Sequence, residues 1–124
     1  MRYVILLRGS QMDGPPPAEL MQGIADLGEQ ATKAGVLLDN AGLAPSAAGA
    51  RIELTGGRLS VMDGPFTEAK ELISYALYDV GSKEEAVEWT NRFMTLHADL
   101  WPGWEGRADV LKVLGPEDFA PPTS

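Results

Sequence analysis

The sequence predicts an α+β fold in which two helices cover one face of an antiparallel sheet. Three observations carry this prediction. Apolar residues recur with the helical period twice, at Leu20, Ile24, Leu27 and Ala31, and again at Ala86, Trp89, Phe93 and Leu96. Short apolar runs of strand length flank each helix: RYVILLR and VLLDNAGL around the first, LISYALYDV and ADVLKVL around the second. Gly- and Pro-rich stretches separate these elements, as GSQMDGPPP, APSAAGA, DGPF and WPGWEG.

Arg2 to Arg8 is an apolar run between two charges, which suits a central strand covered on both faces. Three prolines then exclude a helix until Pro17, which can occupy a first helical turn. The first helix is expected over 18–34. Glu19 lies in its first turn, Lys33 in its last, and Gly35 just beyond, all in the positions that helix polarity favours. VLLDNAGL is the second strand, bulged or ended by Asp39-Asn40. RIEL and LSVM, joined through TGGR, form a small hairpin, because Gly56-Gly57 can adopt the positive φ of a tight turn. Leu72 to Val80 is the longest strand signal. Ser82 and Glu85 make the S-x-x-E capping box that opens the second helix. ADVLKVL is the last strand, residues 1–115 form the domain, and the tail 116–124 is expected to fray.

Without the hairpin, this order is the ferredoxin-like βαββαβ unit. Right-handed crossovers put both helices on one side of the sheet. Alternation sets Tyr3, Ile5 and Leu7 against Val4 and Leu6, and sets Ile73, Tyr75 and Leu77 against Leu72, Ala76 and Tyr78. Neither side is polar. The face without helices is therefore expected to pack on a second copy as a homodimer, or else beneath the hairpin and the tryptophan loop.

Composition narrows the function. A chain of 124 residues, 44% hydrophobic, fits one domain with an ordinary core. No stretch approaches a membrane span, and the apolar run at the N-terminus is too short for a convincing signal peptide. There is no cysteine, so disulfides, thiolate metal ligands and a cysteine nucleophile are excluded; a cytoplasmic location is expected. Net charge is -8. Residues 1–62 carry six acids against five bases, and 63–124 carry twelve against five. Such a surface repels phosphate backbones and has no basic cluster, so no direct nucleic-acid contact is expected. No P-loop, GxGxxG, GxSxG or H-x-x-x-H pattern occurs, and neither a cofactor nor a metal is expected.

The stretch Asp63-Gly64-Pro65-Phe66, with the approach GGRLSVM and the continuation TEAKE, is similar to the YCII-related family, in its DGPF-domain branch. MRYVILL, AGVLLDNAGLAPS and EEAVEW share the resemblance, which covers roughly residues 1 to 115. It implies a ferredoxin-like chain that dimerises through its sheets into a dimeric α/β barrel. It also implies a ligand cleft between sheet and helices, but no particular reaction. Some members are associated with transcription initiation. Another part of the family carries a His-Asp pair, whereas this chain has no histidine in its first half to serve Asp39.

A small set of residues can carry chemistry. Asp63 heads a stiff turn in which Pro65 offers no N–H, so its carboxylate either caps Phe66 or Thr67 or meets a ligand and moves a proton. His97, the sole histidine, is a candidate general base, or a ring settled near a helix C-terminus. Arg8, at the end of the first strand, can hold an acidic ligand or pair with a carboxylate. Glu68, three residues before Glu71, can bind a ligand or sit in a solvated turn, and Lys70 between them can contact an anion. Tyr75 or Tyr78 can present a hydroxyl to the cleft, and Trp101 and Trp104 can wall it or close its floor. Two functional readings follow. One is a small-molecule enzyme or binding protein acting in the cleft. The other is a regulatory or protein-interaction module.

Overall fold

The computed structural model describes residues 1–119. Its elements are β1 (Arg2–Gly9), α1 (Ala18–Lys33), β2 (Leu37–Gly42), β3 (Ala50–Thr55), β4 (Arg58–Asp63), β5 (Glu71–Asp79), α2 (Lys83–Leu100) and β6 (Gly106–Lys112). Short 3-10 turns occupy Ser46–Ala48 and Pro116–Phe119. The main sheet is antiparallel in the order β2-β5-β1-β6, and β3-β4 form a separate hairpin. This is the ferredoxin-like arrangement with an inserted hairpin. Part of the tail expected to fray, 120–124, lies outside the described residues; Pro116–Phe119 form a turn in which Gly115 N–H donates to Asp118 Oδ2.

Local signals explain the boundaries. Pro17 caps α1 rather than entering it. Ser82 Oγ accepts the Glu85 N–H at 3.2 Å, and Glu85 answers by accepting the Gly81 N–H at 2.9 Å, one residue before the reciprocal partner of a capping box. Gly56 and Gly57 both hold positive φ, 58° and 76°, in the hairpin turn. Asp39-Asn40 do not end β2; its register shifts between Leu37 and Asp39, and pairing with β5 continues to Gly42.

Both helices pack on one face. Tyr3, Ile5, Ala31, Tyr78, Val80 and Ala86 form the buried core there, and the alternation of β1 puts Tyr3, Ile5 and Leu7 inward. The simple alternation expected for β5 fails at one place. Leu7 pairs with Ser74 but Arg8 pairs with Leu72, so Ile73 is an extra residue in a bulge. Beyond the bulge Leu72 shares the outer face with Arg8, and Ile73 turns to the helix side, where it and Trp104 crowd the space above Gly9.

The outer face carries Val4, Leu6, Leu77 and Leu111, interleaved with Arg8, Asp39, Tyr75, Arg107 and Asp109. The tryptophan loop does not cover it, since Trp101 and Trp104 lie on the helix side. The hairpin makes no substantial contact with the main sheet. Its Ile52, Leu54, Leu59 and Val61 share one face and are 68–71% exposed. Among the described residues no helix is long and apolar enough to cross a membrane.

Candidate functional site

Two cavities flank the sheet. The larger concentration of aromatic groups lies between the helices and the sheet, in a cavity of about 410 Å³. Leu20, Ile24 and Leu27 of α1 form one wall, Ile5 and Leu7 of β1 the floor, and Phe93 and His97 of α2 the other wall. Trp101 and Trp104 close one end, with near-parallel rings 6.0 Å apart. Trp104 can lie against the sheet because Gly9 and Gly106 face each other across β1 and β6; a Cβ on either would strike its indole. Among the described residues, no Asp, Glu, Lys or Arg lines this cavity.

His97 is 4% exposed and packs against Phe93 and Trp104, with ring centroids 4.8 and 4.6 Å away. Its Nδ1 lies 2.9 Å from the Phe93 carbonyl oxygen, one turn back on α2. A carbonyl only accepts, so this contact assigns the proton to Nδ1 in the neutral ring. Burial pushes the His97 pKa below its ordinary 6.5, partly opposed by the bond to Phe93. The unfolded chain then takes up a proton near pH 6.5, while the folded chain does so only at lower pH. Stability from this group is therefore full above that value and is lost as pH falls through the folded pKa. Urea midpoints taken from about pH 7.5 down to 5 should fall more steeply for the wild type than for His97→Phe. Parallel curves would remove burial as the cause.

The second cavity, about 430 Å³, lies at the base of the hairpin, on the outer face. Arg8, Ser46, Arg51, Phe66, Glu68 and Glu71 line it. Glu68 accepts from Arg51 at 2.8 Å and pairs with Arg8 at 3.5 Å. Arg51 also stands 4.1 Å over the Phe66 ring. These groups are partly exposed, so each ion pair contributes at most about 1 kcal/mol. Glu68 and Glu71 do not share a helix, because the segment between Phe66 and Lys70 is irregular and Glu71 begins β5. Glu71 instead accepts from the Ser46 hydroxyl at 2.6 Å.

The DGPF turn is stitched to the 3-10 turn at Ser46. Gly64 N–H donates to Gly49 O at 2.9 Å, and Phe66 N–H donates to Ser46 Oγ at 3.0 Å. The acceptor for Phe66 is thus Ser46, a residue that no local pattern singles out. Asp63 is exposed at the end of β4, lines neither cavity, and makes no side-chain hydrogen bond or ion pair with a described residue. Lys70 lines neither cavity. Tyr75 borders the first cavity, but its register with Leu6 turns the ring outward, where its hydroxyl donates to Asp39 Oδ2 at 2.9 Å. That bond, and the charge of Asp39, raise the Tyr75 pKa above 10.

The expected site residues therefore separate into groups. His97 joins the aromatic residues on the helix side. Arg8 and Glu68 meet on the other face, joined there by Arg51 and Ser46, which sequence reasoning missed. Among the described residues, no cluster of three His, Asp or Glu side chains is placed to hold a metal ion.

Over 71 residues the chain is 35% identical to uncharacterized protein R00369 of Rhizobium meliloti (strain 1021), a stretch that spans 56% of this chain and 57% of that protein. The YCII-related domain matches residues 1–102, from β1 through α2, and so takes in both walls of the aromatic cavity. On that match the chain belongs to the YCII-related family.

Proposed function

We propose that this chain is a small-molecule-binding protein, or an enzyme of proton transfer, whose ligand occupies the cavity between sheet and helices. The observation that carries the reading is the cavity itself: about 410 Å³, apolar and aromatic, with one titratable imidazole in its wall. Ligand sites commonly combine an apolar lining with a few placed polar groups. Asp63, the acidic residue expected to move a proton, stands outside this space. His97 takes that role here, because its neutral ring offers a nitrogen lone pair to a proton donor. Arg8, Glu68 and the DGPF turn serve the corner that carries the hairpin, and the DGPF turn supports a reading of the chain as one of the DGPF-domain branch. A cytoplasmic homodimer, closed through the outer faces of two sheets as a dimeric α/β barrel, completes the reading; the apolar residues Val4, Leu6, Leu77 and Leu111 support it.

Native mass spectrometry of protein gently purified from cells, against a denatured control, tests this. The expected result is a dimer with a reproducible added mass that denaturation releases. A dimer that never retains a small molecule, even when candidate ligands are supplied, would count against the cavity as a ligand site.

One observation favours a second reading, a regulatory or interaction module that meets protein without direct DNA contact, including one linked to transcription. The hairpin presents Ile52, Leu54, Leu59 and Val61 on one exposed face. Four aliphatic side chains on a projecting hairpin suit a protein surface better than water.

A further inference from the structure

We propose that the helix-side cavity selects a neutral aromatic molecule bearing an O–H or N–H donor, and that Nε2 of His97 receives this donor. The inference rests on the reading of this cavity as the ligand site and adds the class of ligand.

The direction of the hydrogen bond follows from the backbone. Phe93 O holds the proton of the neutral ring on Nδ1, so Nε2 is left as an acceptor. No described residue bonds to Nε2. No buried side-chain nitrogen or oxygen among the described residues lacks a partner, so Nε2 is not sealed off and reaches open space. His97 as a whole is nearly buried and lines the cavity, so that space is the cavity. Of the other polar groups in the lining, Thr90 Oγ1 donates to Ala86 O at 2.8 Å and the Tyr75 hydroxyl donates to Asp39, while Asn40, Ser74 and Tyr78 add further polar groups that a ligand can meet.

The walls define the rest of the ligand. Phe93, Trp101 and Trp104 offer ring faces and edges around the imidazole, which suit a planar aromatic body. Among the described residues, no charged side chain lines the cavity to offset a ligand charge. A carboxylate or ammonium would lose its hydration without a partner, so charged molecules are selected against. Protonating His97 to meet an anion is also opposed by burial.

Four probes of similar ring size separate these ideas: naphthol, methoxynaphthalene, naphthalene and naphthoate. Binding is read by tryptophan fluorescence and calorimetry at about pH 7.5, above the ordinary histidine pKa. Naphthol should bind about fivefold tighter than naphthalene or methoxynaphthalene, the effect of one added neutral hydrogen bond. Naphthoate should bind at least about tenfold more weakly than naphthol. His97→Phe should abolish the preference for naphthol while naphthalene still binds. Equal binding of naphthol and methoxynaphthalene would overturn the assigned hydrogen bond and leave the cavity as a ligand site. Tightest binding by naphthoate would overturn the neutral class. Failure of all four to bind would defeat the cavity reading as well. The wild-type comparison of naphthol with methoxynaphthalene stands even if the variant does not fold.

Discussion

Replacing Gly64 with alanine should destabilise the fold by about 3 kcal/mol, near the upper end for forcing extra volume into a packed site. A Cβ at this position would overlap the Ser46 carbonyl oxygen, which is backbone and cannot swing aside. Relief requires moving the Ser46–Ala48 turn or the DGPF turn. Either movement strains the bonds from Gly64 to Gly49, from Phe66 to Ser46 and from Ser46 to Glu71. Urea denaturation measures the effect, with two substitutions for scale. Ser46→Ala keeps the backbone but removes the hydroxyl that accepts from Phe66 and donates to Glu71, and should cost about 1–2 kcal/mol. Asp63→Asn should change stability by less than about 0.5 kcal/mol, because its exposed carboxylate bonds to no described residue. If Gly64→Ala matched the wild type, the turn would be shown to yield freely, and the motif would need an explanation outside the fold.

Introducing Glu at both Leu6 and Leu77 should turn a dimer into a monomer. Leu77 pairs with Val4 on β1 and Leu6 with Tyr75 on β5, so the two leucines stand near each other at the centre of the outer face. In a two-fold interface each copy would bury both new carboxylates against the same apolar patch of its partner. An unpaired charge in such a place is strongly destabilising, about 3 kcal/mol or more apiece. The dissociation constant should rise at least about a thousandfold. Sedimentation velocity across a concentration series reads this directly, and circular dichroism should show the variant still folded. A wild type that stays monomeric at every concentration would refute the sheet-to-sheet interface. The aliphatic hairpin face would then become the main candidate for a protein contact.

Much of the architecture was legible because its causes are local. Helix period, the Ser82 cap, the Gly56-Gly57 turn and the prolines before α1 act within a few residues of chain, and each appears as expected. The element order then leaves few topologies, since crossovers are right-handed. His97 was legible as a candidate because it continues the apolar stripe of α2 four residues after Phe93, the same spacing that lets its Nδ1 reach the Phe93 carbonyl.

The ferredoxin-like order of elements, their limits to within two or so residues, the apolar residues on both sheet faces and the shortlist of titratable groups all follow from the chain of amino acids alone. Which of those groups share a space is set by long-range packing in the folded chain. A bulge at Ile73 moves Leu72 to the outer face beside Arg8, and one inserted residue reverses every side chain beyond it. Gly9 and Gly106, 97 positions apart, meet under Trp104 and so help shape the aromatic cavity. Ser46 reaches Phe66 from a loop of small residues with no distinguishing pattern. Such contacts depend on strand register and close backbone approach between distant segments, which no local periodicity encodes. That is why Asp63, Arg8 and His97 look alike as candidates along the chain, yet stand at a hairpin end, on the outer face and in the aromatic cavity of the folded molecule.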